Sequence, residues 1–456
     1  MEVRTVIDEG LGNASYLVEL GEGRALVVDP GRDPGPYMEA ARQSGSTIAF
    51  VAETHLHADF VSGSRELNAE GATVLASAGA DLGFEHHPLR DDEHLDLGGL
   101  TLRALATPGH TPEHLSYELL DGPNAAAVFT GGALLRGSVA RTDLLSTEET
   151  EPLARALFRS VHDRLFALPD DTPVYPTHGA GATFCSVTPT DDGDPSTTIG
   201  REREGNILVQ APDELAFARG LMATYGSYPR YFTRLREVNR RGPRVYGTTL
   251  PSLEPLSPER VQRALAEGAV LIDARPIDPF ADGHVPGALS IALRPAFATW
   301  LGWLVPAGTP LVFVLADDQD RTEVVRQCLK VGYEGLDGEL AGGMTAWRQA
   351  GVPEERSRLL GSDAVPEGTI LDVRQRNEYT QGHAPGAVNV ELGSLEGEVD
   401  SLPRGPITMH CGHGERAMTA ASLLAHAGRT DVSVLQGGPG DICRVIGRQL
   451  ARGNAP

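Results

Sequence analysis

With 456 residues, 41% hydrophobic and 22% charged, the chain has the makeup of a soluble globular protein of two to four separately cored domains. Its formal charge of −23 excludes nucleic acid and anionic membrane as partners, because phosphates call for a basic surface. Four cysteines, at 185, 328, 411 and 443, lack the paired spacing of a disulfide framework. No signal peptide opens the chain and no apolar run approaches the ~20 residues that span a bilayer, so a cytoplasmic protein is expected.

Residues 1–250 are expected to form the first domain. Short apolar runs between Gly/Asp turns predict strands at Ser15–Leu20, Ala25–Asp29, Ile48–Glu53, Thr101–Ala106 and Ala125–Thr130, with helices at Glu39–Ser44, Gly63–Glu70 and Pro152–Leu168. Directly after Ile48–Glu53 comes Thr54-His-Leu-His-Ala-Asp-Phe60. Residues at i and i+2 leaving a strand project to one side, so His55 and His57 can converge on one ion with Asp59 nearby, a donor set suited to Zn or Fe(II). Two later loops, Thr107-Pro-Gly-His110 and Pro176-Thr-His178, also place histidines just past apolar runs. His86, His87, His94, His114 and His162 are assigned to the solvated surface.

An internal repeat organises the remainder. The segment Asp273–Ala288 recurs as Asp372–Ala387, with Asp, Arg, His, Pro, Gly and Ala in register. Each copy sits between apolar runs, Ala269–Ile272 and Pro310–Leu315 in the first, Thr369–Leu371 and Pro406–His410 in the second. Strands alternating with helices predict two parallel α/β domains, 255–355 and 360–456, with 252–258 and 356–366 read as linkers.

The last apolar run leads into Cys411-Gly-His-Gly-Glu-Arg416 and then a helical pattern, Ala417–His426. A cysteine at a strand end, before a glycine-containing loop and a helix N-terminus, is placed for a reactive thiolate. Four residues separate Cys411 from Arg416, one fewer than in a phosphate-cradling loop of the tyrosine-phosphatase kind, and the smaller ring suits a sulfur atom. This loop resembles the active-site loop of rhodanese sulfurtransferases. The resemblance implies that Cys411 carries a persulfide sulfur, that Gly412, His413, Gly414 and Glu415 form the loop, that Arg416 closes it, and that Asp372 and Arg374 support it; a plain strand-end salt bridge would look the same. Aligning the copies sets Ala316 against Cys411, so the 255–355 copy is expected to be catalytically silent.

In the first domain the ordered set HxHxD…PGHT…THGAG resembles the metallo-β-lactamase fold, in the glyoxalase II-like branch that includes persulfide dioxygenases. The implied fold is an αββα sandwich followed by two rhodanese-like α/β domains. The resemblance makes His55 and His110 metal ligands, adds His57, Asp59 and His178 as candidates, gives Arg141 to substrate binding, and makes Cys185 a candidate second thiol. Two departures stand out: Gly132 occupies the place of the expected iron-binding aspartate, and Phe60 that of a histidine a two-metal hydrolase needs. Fe(II) is the cofactor expected first and Zn second, with a scaffold domain lacking metal as the alternative. The expected function is oxidation of low-molecular-weight persulfides to sulfite together with sulfane-sulfur transfer through Cys411, with persulfide, thiosulfate or sulfite as small-molecule partners in a homo-oligomer. The alternatives are a sulfurtransferase or sulfur carrier alone and a glyoxalase II-type zinc thioester hydrolase.

Overall fold

The computed structural model describes residues 2–179, 194–247 and 249–453. It divides into two compact units, Met1–Leu250 with Arg326–Gly332, and Pro251–Val325 with Tyr333–Pro456.

The first unit contains two six-stranded sheets. One is built from β1 (Val3–Asp8), β2 (Asn13–Gly21), β3 (Arg24–Val28), β4 (Thr47–Ala52), β5 (Thr73–Ser77) and β6 (His87–Leu89) in that order. The other holds β7 (His94–Asp96), β8 (Thr101–Ala106), β9 (Leu115–Asp121), β10 (Asn124–Gly131), β11 (Pro173–Pro176) and β12 (Thr197–Thr198), ordered β12-β11-β10-β9-β8-β7. Side chains alternate across a strand, and the core follows that period. Tyr16 and Val18 of β2 pack with Tyr117 and Phe129 of the facing sheet. Leu17 points the other way, into a cluster with Tyr37 and Ala41 of the helix Gly35–Ser44. Behind the second sheet, Val128 and Val174 pack with Leu157, Phe217 and Leu221 of the helices Thr147–Arg159 and Glu214–Met222. The result is the four-layer αββα sandwich that the resemblance implies.

The helix expected at Pro152–Leu168 begins earlier, at Thr147, because the Ser146 hydroxyl caps the Glu149 N–H and Glu148 and Glu149 favour the helix N-terminus. It runs on as a π-helical stretch over Ser160–Leu165. Strands β1, β5, β6, β7, β9, β11 and β12 go beyond the expected set; several are short or half-exposed and carry weak alternation.

The second unit repeats one topology twice. Strands β13 (Pro255–Leu256), β14 (Val270–Asp273), β15 (Leu289–Ser290), β16 (Leu311–Val314) and β17 (Leu336–Leu340) form a parallel sheet ordered β13-β17-β16-β14-β15. Strands β18 (Arg358–Leu360), β19 (Thr369–Asp372), β20 (Val388–Asn389), β21 (Ile407–His410) and β22 (Val432–Leu435) follow the same plan, β18-β22-β21-β19-β20. The central strands β16 and β21 are buried at every position, as parallel strands covered on both faces must be. The stretches read as linkers each carry the edge strand of the following sheet, β13 and β18, whose two or three residues leave almost no periodic signal. Among the described residues, no helix is long and apolar enough to cross a membrane.

Candidate functional site

In both units the chemistry-bearing side chains gather where strands end at their carboxyl termini, the position from which α/β sheets present ligands. In the first unit His55 follows β4, His110 follows β8 and His178 follows β11. One ligand atom from each lies within 4.8 Å of the other two, and all three side chains are buried.

Each ring is oriented by an oxygen behind it. Thr54 donates both its N–H and its hydroxyl to the Asp29 carboxylate, at 2.7 Å each, so the His55 Nδ1–H, 2.8 Å away, has the Thr54 oxygen to donate to. His110 donates Nδ1–H to the Arg141 carbonyl at 2.6 Å. His178 presents Nδ1 to Asn13 Oδ1 at 3.0 Å and to Asp59 Oδ2 at 3.3 Å. These partners fix the tautomers and leave three Nε2 lone pairs facing one another, as metal-binding histidines require. The His178 and His55 Nε2 atoms are 3.4 Å apart. Burial, reinforced by the neighbouring imidazoles, holds the His55 and His110 pKa values well below the usual histidine range, so both rings are neutral. Two further overlapping groups, Asp29–His55–His57 and His57–Asp59–His178, border the same space. Burial would raise the Asp59 pKa, but His178 and His57 outweigh it and keep the carboxylate ionised.

His57 is held differently. Its Nε2 lies 3.2 Å from Asp29 Oδ1 and 3.1 Å from Glu53 Oε2, and its ring stacks on Phe60 at 4.2 Å. Burial alone would lower its pKa; the two carboxylates prevail and raise it to about 10. Its Nδ1 is buried without a hydrogen-bond partner.

His114, assigned from sequence to the surface, is instead buried and stacked on His55 at 5.1 Å. Both its nitrogens are engaged, Nδ1 with Thr107 Oγ1 at 2.9 Å and Nε2 with the Gly132 N–H at 3.0 Å, and burial pushes its pKa down to about 3. The three residues between His110 and His114 give no hint of this role. The Arg141 guanidinium bonds Asp143 at 2.7 and 2.8 Å and the Gly226 carbonyl at 2.9 Å, over the Tyr228 ring; its own carbonyl meets the metal cluster through His110. Cys185 lies outside the described residues. Sequence reasoning passed over Asp29, which bonds Thr54 and Thr177 and faces His57. Its signal was an Asp-Pro-Gly turn at a strand end, with Asp29 in the left-handed region at φ 49°.

The donor set fits a metal ion: three oriented imidazoles converge in a buried space, with Asp59 beside them. The fit comes without any side chain from position 132.

In the second unit Cys411 follows β21, and its sulfur accepts the Gly414 N–H at 3.2 Å. Gly414 has φ 110° and begins the helix Glu415–His426, so the loop turns through a conformation reserved in practice for glycine. Arg416 makes a two-pronged pair with Glu378, at 2.6 and 2.8 Å, closing the loop onto the helix Arg376–Gln381. Arg374 forks onto Asp372 at 2.9 and 2.6 Å and also reaches the Gly382 carbonyl. His413 is exposed, whereas Gly412 and Glu415 are half-buried.

The repeat provides an internal control. Arg275 forks onto Asp273 at 2.9 and 2.6 Å and reaches the Gly283 carbonyl, the same arrangement in the copy that lacks a cysteine. At the aligned loop, the Ala316 N–H donates to the Gln319 side chain, which in turn donates to the Ala274 carbonyl. A side-chain amide fills this loop where the second copy holds sulfur. Cys328 and Cys443 are buried thiols whose pKa values burial raises, as in packed, unreactive cysteines.

The metallo-beta-lactamase superfamily model matches residues 8–184, and the rhodanese-like domain model matches 257–350 and 352–441. The mitochondrial persulfide dioxygenase ETHE1 of Homo sapiens is 31% identical over 217 residues, 45% of this chain and 80% of that protein. A hydroxyacylglutathione hydrolase of Methylococcus capsulatus is 35% identical over 175 residues, 36% of this chain and 62% of that protein. The crystal structure of a metallo-beta-lactamase from Staphylococcus aureus superposes with a TM-score of 0.64 at 25% identity, covering 75% of this chain and 98% of the other. The chain thus belongs to the metallo-beta-lactamase superfamily, with the persulfide dioxygenases among its relatives, and carries two rhodanese-like domains in its C-terminal half.

Proposed function

We propose that this sulfur-metabolism protein is a persulfide dioxygenase–sulfurtransferase, oxidising a low-molecular-weight persulfide to sulfite in its first domain and moving sulfane sulfur through Cys411 in its last. The observation that carries the reading is the Cys411 sulfur seated on the Gly414 amide in a chain that also gathers three oriented imidazoles.

At Cys411 the thiolate attacks the outer sulfur of a persulfide or of thiosulfate. The new S–S bond forms as the old one breaks, and thiolate or sulfite leaves with the electron pair. The Cys411 persulfide anion then takes up hydrogen bonds from the loop amides, and a second thiolate removes its outer sulfur. Arg416, spent on Glu378, holds the loop's shape. In the first domain His55, His110 and His178 would hold the metal, with His57 and Asp59 next to them, and Fe(II) there would supply activation of O₂ for the persulfide's terminal sulfur. The chain's own contribution is to keep His55 and His110 neutral and to aim all three rings.

The hydroxyacylglutathione hydrolase likeness supports the fold more than the thioester activity, because Phe60 and Gly132 contribute no ligand to a second ion. Metal analysis of the purified chain with O₂ uptake on glutathione persulfide tests the first domain: bound iron and O₂ uptake are expected. Sulfur transfer with neither would leave a sulfurtransferase alone, and zinc with thioester cleavage would indicate the hydrolase. Cys411→Ser is expected to abolish thiosulfate:cyanide transfer while O₂ uptake persists; transfer surviving in that variant refutes the assignment of the nucleophile.

A further inference from the structure

We infer that the metal of the first domain is held by an all-imidazole set, His55, His110 and His178, with no carboxylate from position 132. This deepens, and rests on, the metal-centre reading above. Position 132 has no space for a side chain: a Cβ there would stand 2.4 Å from His110 Cδ2 and 2.7 Å from its Cγ. The His110 ring occupies that volume and is pinned there by the Arg141 carbonyl. The Gly132 N–H is committed as well, to His114 Nε2. The glycine is therefore built into the site, because the ligand ring and any residue-132 side chain compete for one place.

His178 answers for the missing donor. Its Nδ1 faces Asn13 and Asp59 just as the other two rings face the Thr54 hydroxyl and the Arg141 carbonyl, and its Nε2 joins theirs. The buried Asp59 carboxylate, 3.3 Å from His178 Nδ1, then has a purpose as the carboxylate behind a metal-bound histidine. His57 is the rival third donor. Its Nε2 is committed to two carboxylates, yet its Nδ1 is unpartnered. Exchanging a carboxylate ligand for an imidazole leaves the ion and its protein ligands one unit more positive, which favours an anionic persulfide over a neutral thioester as the incoming ligand.

The full chain, stripped with a chelator and reloaded with Co(II), tests the assignment by proton NMR. Three hyperfine-shifted imidazole N–H signals that disappear in D₂O are expected, one per ligating ring. His178→Gln should remove one of the three and weaken Co(II) binding about 100-fold, whereas His57→Gln should keep all three. Two signals in the unaltered chain, or loss of one in His57→Gln, overturns the inference while the metal centre stands; should His178→Gln fail to fold, these two results still decide. A chain that binds no Co(II) overturns the metal reading itself.

Discussion

Where the chain leaves β21, the Cys411 sulfur receives the Gly414 N–H while Arg416, two residues on, turns away to Glu378. The guanidinium is thus held by Glu378, while the sulfur takes its hydrogen bond from the backbone. Glu378 repays this electrostatically: burial would raise its pKa, but Arg416 outweighs burial and holds the carboxyl below its usual value. A carboxylate depressed in the fold stabilises it above the unfolded pKa of about 4.3, and that contribution is lost as pH falls through the lower folded value. At pH 7, Glu378→Gln is expected to lower the melting temperature by roughly 2–4 °C, the equivalent of about 1 kcal/mol for a part-exposed, screened pair. Melting curves of both proteins from pH 7 to pH 3 should show the gap closing below about pH 4.5; a gap that widens in acid would contradict the pairing. Sequence alone could place Arg416 in the loop, but its partner lies thirty-eight positions earlier on another helix, where only the fold brings it near.

The two copies of the rhodanese-like element separate what the architecture needs from what the chemistry needs. The Asp–Arg fork recurs with nearly equal distances in the copy with Ala316 and in the copy with Cys411, so it forms at the strand end whether or not a cysteine follows. The repeat made both forks legible in sequence, and buried β16 and β21 were equally plain as continuous apolar runs. Edge strands β13 and β18 were not, since their pairing is decided by neighbours β17 and β22 and not by their own few residues. The first rhodanese-like copy also borders the Cys411 loop: a Cβ on Gly414 would lie 2.9 Å from Ile277 Cδ1, and the neighbouring Asp278 accepts from Gln436 Nε2 at 3.0 Å. Asp278 and Glu415 therefore place negative charge beside the Cys411 loop, which would disfavour dianionic thiosulfate as a sulfur donor. Asp278→Asn is expected to raise kcat/KM for thiosulfate about threefold at low ionic strength and to change that for a monoanionic persulfide less, with the difference shrinking as salt is added. Equal changes for both donors would remove Asp278 as a discriminating residue.

On the scale of the whole molecule, one chain carries the Cys411 loop and a cluster suited to a metal, and in the proposed function a persulfide would be common to both. How much of this could be read in advance differed by site. The Cys411 loop is contiguous, so six residues declare it. The imidazole cluster is assembled from three loops, and its orienting atoms, Asp29, Asn13 and Thr54, are ordinary strand-end residues until the two sheets stack. Covalent linkage raises the effective concentration of one site's product at the other only if sulfur is exchanged faster within the chain than it is lost to solution. Thiosulfate with glutathione as the sole sulfur source makes this measurable, because O₂ uptake then requires Cys411 to generate the persulfide that the first domain consumes. The unaltered chain is expected to take up O₂ under these conditions, whereas Cys411→Ser and His110→Ala are each expected to fail. Mixing the two variants restores both activities on separate chains. If linkage matters, the mixture should recover well under the unaltered rate at low glutathione and approach it as glutathione rises and carries persulfide between molecules. Full recovery at every glutathione concentration would mean that the fusion confers no advantage in sulfur transfer.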